Sequence, residues 1–250
     1  MDGTTRKALA VLFGLSMLGG AAASRADPAA YSAAPIRGQV VDDLSGQPIE
    51  GAIVVAQWEL VREVIPGFVN KSYGDALEIV EVVTGRDGEY SIPGWGPMAR
   101  PLLFHLEERD PAIAFFKPGY YPRYVANELR NSYSRDAIRT SQWDGKTVRL
   151  RAFTGGPQEF ELQDGRFRQH VKVNGTLEEY ASKLGTLQNQ LHWTRPTDDW
   201  KHFPRLVAAL EREAARLAAA GLKPSYQIER ADQLHGGREA VDRFLKGHGK

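Results

Sequence analysis

The chain has no cysteine at any of its 250 positions. That excludes disulfide staples, thiol catalysis and a lipidated cysteine at a processed N-terminus. It also lacks a surplus of either charge: 32 Lys and Arg stand against 31 Asp and Glu, a formal net charge of +1. A nucleic-acid surface wants a concentrated basic face, whereas cations and carboxylates are interspersed here, so nucleic acid is not an expected partner. The Gly-x-Ser-x-Gly elbow of serine hydrolases is missing, and the first half shows neither a βαβ rhythm nor a glycine-rich phosphate loop. What remains is ordinarily globular, 42% hydrophobic and 25% charged, enough to bury a core without staples.

The N-terminal end is the most readable segment. Arg6 and Lys7 precede the apolar run from Ala8 to Leu18, and small residues fill Gly19 to Ser24. A basic end, a short apolar core and a small-residue exit are the three parts of a secretory signal peptide, assigned here to residues 1–26. The cut is expected after Ala23 or Ala26. The apolar part is too short to span a bilayer core of about 30 Å, so no stable membrane span is expected after cleavage. Export into the periplasm or medium follows, and the missing disulfides point to a bacterial envelope.

From Ile36 to Ala152 the pattern is that of short strands separated by turn residues. Ile36 to Asp42 ends at Asp43, Ser45, Gly46 and Pro48; Gly51 to Val61 is long and rich in β-branched and aromatic residues. A polar loop is expected from about Arg62 to Asp75, then a strand over Leu77 to Thr84. The stretch TGRDGEYSIPG, Thr84 to Gly94, reads as a tight turn with Glu89 to Ile92 returning as the partner strand of a local hairpin. Leu102 to His105, Ala112 to Lys117 and Lys146 to Arg151 are further strands. Seven or so such strands predict a mainly β chain built on an antiparallel sandwich.

After Phe153 the pattern changes. Thr154-Gly-Gly-Pro157 marks a boundary, and Glu159 to Val173 is either a hairpin turned at Asp164-Gly165 or irregular. Thr176-Leu-Glu-Glu179 has capping-box spacing, and Leu177, Tyr180, Leu184, Leu187 and Leu191 follow at helical intervals. A second helix is predicted from Pro204 to Ala220, stopped by Gly221, with Leu206, Leu210, Ala214 and Leu217 on one stripe. Ala240 to Leu245 hints at a third. Stripes like these either pack back on an exposed sheet face or serve a partner; two amphipathic helices with short connections favour the first.

Three groups of residues carry a resemblance. Gly38-Gln-Val-Val-Asp-Asp-Leu-Ser-Gly46 with Pro48-Ile49 and Gly51-Ala52, then Thr84, Asp87-Gly88, Tyr90 and Ile92-Pro93-Gly94, then Lys117-Pro-Gly-Tyr-Tyr-Pro122, resemble in order the patterns of carboxypeptidase regulatory-like domains. The resemblance covers residues 35–153 and leaves residues 154–250 as a helical C-terminal region outside it. It implies a transthyretin-like (prealbumin-like) β-sandwich of an exported protein, in a class of domain regarded as non-catalytic. The chain departs from the family in its long insertion after the second strand and in having no metallopeptidase domain.

The candidate functional residues are few. His105-Leu-Glu-Glu108 has the spacing of two zinc-peptidase ligands, but a catalytic zinc needs a third ligand, a base and a substrate clamp. The other histidines follow no short metal-ligand spacing, so no metal, no cofactor and no catalytic residue is expected. Trp95 and Tyr121 are the aromatic faces most suited to stacking on a sugar ring, while Trp58 reads as core and Tyr120 as a brace for its corner. The sequence therefore predicts a non-catalytic interaction or accessory module, its partner an unidentified envelope protein or polysaccharide. A carbohydrate-binding protein using Trp95 and Tyr121 is the alternative.

Overall fold

The computed structural model describes residues 28–63, 71–128, 136–156, 158–164, 167–173, 175–192, 197–222 and 234–248. The segment read as a signal peptide lies outside them. In chain order the strands are β1 (Ala30–Ala33), β2 (Ile36–Asp42), β3 (Ile53–Glu63), β4 (Lys71–Val83), β5 (Glu89–Ile92), β6 (Trp95–Ala99) and β7 (His105–Leu106). Then come β8 (Ala112–Phe116), β9 (Arg123–Val125), β10 (Ile138–Arg139), β11 (Lys146–Leu150), β12 (Gln158–Asp164) and β13 (Phe167–Val173). Among the described residues three α-helices follow: α1 (Leu177–Gln190), α2 (Pro204–Ala219) and α3 (Gly237–His248).

The uninterrupted apolar run at the start of β3 is explained by burial on both faces. Successive side chains of a strand point to opposite sides. Val54, Ala56, Trp58 and Leu60 enter a core shared with Ile36 and Val40 of β2, Tyr90 and Ile92 of β5, and Val148 and Leu150 of β11. Ile53 and Val55 face the other way and join Ile79 of β4 with Ala114 and Phe116 of β8 beneath the helices. β8 divides in the same manner, and all five of its residues are buried. The sheet β4-β3-β8-β9 is thus the middle layer, between the smaller sheets β11-β2-β5 and β10-β1-β6 on one side and the helices on the other.

The molecule is mainly β with a helical C-terminal region, as the strand pattern predicts, but not every pair is antiparallel. β11 runs parallel to β2, and β10 parallel to β1. The turn at Thr84 is the clearest correction. β4 pairs with β3, whereas β5 pairs with β2, Ile36 opposite Ile92, so Thr84 to Gly88 carries the chain from one sheet to another and closes no hairpin. Local chemistry fixes this crossing. Thr84 Oγ1 accepts from Ala52 N at 2.8 Å and donates to Ile49 O at 2.6 Å, while Val40 N donates to Gly88 O at 2.8 Å. The turn is therefore tied to the β2–β3 connection, and Asp87 Oδ1 accepts from Glu89 N to complete it.

Other expectations shift for similar reasons. Of the loop placed over Arg62 to Asp75, with its tip near Asn70 to Gly74, both flanks are strand: β3 continues to Glu63 and β4 begins at Lys71, with Glu63 opposite Lys71. Residues 64–70 lie outside the described residues. Leu102 to His105 is not a strand; only His105 and Leu106 pair, with Val61 and Leu60, and Leu102 and Leu103 form an exposed turn. Ala30–Ala33, ahead of the boundary drawn at residue 35, pairs with β6 and β10. Of the two readings of Glu159 to Val173, the structure takes the hairpin, β12 against β13.

The helices pack back on the sheet. Tyr180, Leu184, Leu187 and Leu191 of the first stripe and Leu206, Leu210 and Leu217 of the second are buried against it. Thr176 caps α1, its Oγ1 accepting from Glu179 N at 3.1 Å. α2 begins with Pro204 after Phe203, which offers no capping side chain. The cap comes instead from the sheet: Glu81 of β4 accepts from Leu206 N at 2.8 Å and Arg205 N at 3.1 Å. A carboxylate placed there meets both the free N–H groups and the positive end of the helix dipole.

Candidate functional site

The two aromatic candidates end up in different environments. Trp95, at the start of β6, is half-buried and meets Trp58 edge-to-face, ring centroids 5.3 Å apart at 87°. The Trp95 indole N–H is shielded from solvent without a hydrogen-bond partner. Tyr121 is only 5% exposed, which corrects the expectation that it presents a face. Its ring lies edge-on to Phe153 at 5.9 Å and to Tyr180 at 5.5 Å, and those two stack on each other at 4.5 Å. Burial, with the nearby Glu179 charge, pushes the Tyr121 hydroxyl up to about 12. Trp95 packs on the sandwich core and Tyr121 belongs to the core under the helices, so the fold does not bring them together.

A second constellation was not legible as a site in the sequence. Glu59 of β3, Asp110 before β8, Arg139 of β10 and His192 after α1 are drawn to one end of the middle sheet. Glu59, Asp110 and Arg139 are buried. The Asp110 carboxylate accepts the Glu59 N–H, and Glu59 Oε1 lies 2.6 Å from His192 Nε2. Burial pushes the Asp110 carboxyl well above the usual carboxylate range, against the pull of Arg139 and the Glu59 N–H and helped by the Glu59 and Glu107 charges. Arg139 donates through Nη2 to Leu106 O at 3.0 Å and Glu107 O at 3.2 Å, and its guanidinium sits over the Tyr31 ring. Asn127 Nδ2 adds bonds to Asp110 O and Thr140 O.

Asp110, Arg139 and Asn127 are aimed at backbone carbonyls and amides, Glu59 pairs with His192, and Asp110 and Arg139 are walled off from solvent. The arrangement knits β3, β7, β8 and β10 together and anchors the end of α1. One signal in the sequence pointed to it. Gln57 and Glu59 interrupt an apolar strand at alternate positions, which marks a polar patch on one of its faces.

Further polar ties hold the helices in place. Glu213 of α2 bonds Arg216 at 2.6 Å, and the Tyr180 hydroxyl accepts from Gly119 N at 3.1 Å. Burial pushes the Glu213 carboxyl up, but hydrogen bonds from Arg216 and Tyr180 outweigh it and hold the group below its ordinary value. Asp199 Oδ2 accepts from Ala76 N at the β4 edge. His105 is half-buried on β7 with Glu108 in the loop beyond it. Among the described residues no three His, Cys, Asp or Glu side chains converge as a metal site. Nor, among them, is any helix long and apolar enough to cross a membrane.

No protein-family model matches the chain. No curated protein matches it either. Among solved structures it is similar to a streptococcal ancillary pilin, at 15% identity over 48% of this chain and 29% of that one, with a TM-score of 0.23. It is similar to the catechol 1,2-dioxygenase of Pseudomonas arvilla C-1, at 15% identity over 53% and 55% of the two chains, with a TM-score of 0.25. A DUF3823 family protein from Bacteroides uniformis ATCC 8492 shares 11% identity over 62% and 60%, with a TM-score of 0.21. The chain thus spans less than two thirds of each of these neighbours. At such scores the likenesses carry no argument about activity.

Proposed function

We propose that this chain is a non-catalytic exported protein of the bacterial envelope, built on a carboxypeptidase regulatory-like sandwich and acting as an interaction or accessory module. The observation that carries the reading is where the buried polar groups are spent. Asp110 and Arg139 serve backbone atoms, Glu81 caps α2, and Glu213 and Tyr180 fasten the helices to the Gly119 corner. The motif at Thr84 to Gly88 is likewise committed to a crossing between sheets. A working enzyme needs convergent polar groups within reach of a substrate. The test is cross-linking in intact cells followed by purification at modest salt. A discrete envelope protein captured with the chain supports the proposal; recovery of the chain alone, with turnover of a small substrate, contradicts it.

Trp95 supports one second reading, a carbohydrate site, because its ring is partly exposed. Stacking of the exposed part of the ring on a sugar face would use it. Retention on polysaccharide matrices tests it: Trp95→Ala should abolish retention, and unchanged retention removes Trp95 from consideration.

A further inference from the structure

The turn between β6 and β7 has a composition and a geometry that the sandwich itself does not explain. Leu102 is 84% exposed and Leu103 is 69% exposed. Leu103 also has φ of 67°, in the left-handed region that residues with branched apolar side chains rarely occupy. A leucine that is both exposed and strained contributes nothing to the core. Its neighbours nonetheless hold it firmly. Phe104 N donates to Pro101 O at 3.2 Å to close the turn, and the Phe104 ring lies against Gly74, where a Cβ would stand 2.7 Å from it. Arg100 donates through Nε to Pro28 O at 2.9 Å and through Nη1 to Phe104 O at 3.0 Å, and Arg62 sits over the Phe104 ring at 5.7 Å.

Two leucines therefore project from a braced turn with two guanidinium groups at its base. Along the chain, the stretch between Glu89 and Glu107 has no carboxylate and contributes Arg100; on the neighbouring strand β4 the acid Asp75 follows Gly74, while Arg62 of β3 lies over the Phe104 ring. A convex apolar tip on a cationic base is the arrangement of side chains that insert at a membrane surface. Aliphatic groups enter the acyl boundary without needing a shaped pocket, and cations stay at the level of anionic headgroups. We propose that the Leu102–Leu103 turn docks on an anionic phospholipid surface, with Arg62 and Arg100 at the headgroups. This attachment is separate from any protein or sugar partner, so its failure leaves the proposed accessory role untouched.

Because the chain has no cysteine, a single introduced thiol reports one position only. In the exported chain, Leu103→Cys and Leu44→Cys carry a polarity-sensitive fluorophore. Leu44 is an equally suited control, 70% exposed but beside Asp42 and Asp43. Vesicles of phosphatidylglycerol with phosphatidylethanolamine should shift the probe at 103 to the blue and leave the probe at 44 unchanged. Pure phosphatidylcholine vesicles should give a far smaller response. The double substitution Leu102→Ser with Leu103→Gly should weaken vesicle binding about tenfold or more, as expected from losing two buried aliphatic chains. Since glycine accepts the positive φ, this variant should melt no lower than the parent. The proposal is overturned if the probe at 103 stays in water, if the double variant binds as the parent does, or if the parent self-associates without lipid and the double variant does not.

Discussion

Gly88 shows how much of this fold rests on single backbone positions. Its φ is 74°, and a Cβ there would stand 2.4 Å from Val40 O, the oxygen that also accepts from Ile49 N. Gly88→Ala should therefore cost both the left-handed strain and a displaced β2–β3 connection, about 3 kcal/mol or more together. Gly46 has a similar φ of 70° but open space around it, so Gly46→Ala should cost only about 1 kcal/mol. Denaturant midpoints of the two variants check the contrast. Glu81 and Glu213 offer a second residue-level test, with opposite signs. Burial raises Glu81 above its ordinary 4.5, so its contribution is fullest below that pH and is lost as pH rises through the folded value. Glu213 is held below 4.5 by its partners, so its contribution is present above that pH and lost as pH falls through the folded value. Comparing each Gln variant with the parent from pH 3 to 7, the deficit of Glu81→Gln should shrink as pH rises, and that of Glu213→Gln should grow.

At the scale of elements, the helices are the part whose docking can be challenged. Leu184 is fully buried in the core between α1 and the middle sheet, and Leu184→Ala should cost about 2–5 kcal/mol. Ending the chain at Phe153 should expose Ile53, Val55, Ile79, Ala114 and Phe116 together and yield an aggregating sandwich. A soluble, folded truncation would mean that the helices are an independent unit. These elements were largely legible in advance because their signals are local. The stripes Tyr180-Leu184-Leu187 and Leu206-Leu210-Leu217 and the cap at Thr176 follow directly from a 3.6-residue period and one hydroxyl. Pairing was less legible, because it is decided far from the residues paired. The turn at Thr84 reads the same whether the chain folds back on β4 or crosses to β2, and the choice is made by Ile49, Ala52 and Val40. Tyr121 was misplaced for a similar reason: its burial depends on Phe153 and Tyr180, well removed in the sequence. The cap that Glu81 supplies to α2 spans 125 residues and left no local mark.

For the whole molecule, three layers share one middle sheet, so the sandwich and the helices should melt together. Heating followed by near-ultraviolet and far-ultraviolet circular dichroism should give coincident transitions; separated ones would show that the helical layer opens by itself. Within that layering Glu81, Arg139 and Glu213 are engaged in ties between elements. The central claim, an exported envelope module, is tested most directly by fractionating cells after cross-linking and sequencing the N-terminus of the recovered chain. The account predicts a chain cut after Ala23 or Ala26, found in the periplasm or medium and joined to an envelope partner. An intact N-terminus on a chain confined to the cytosol would contradict it.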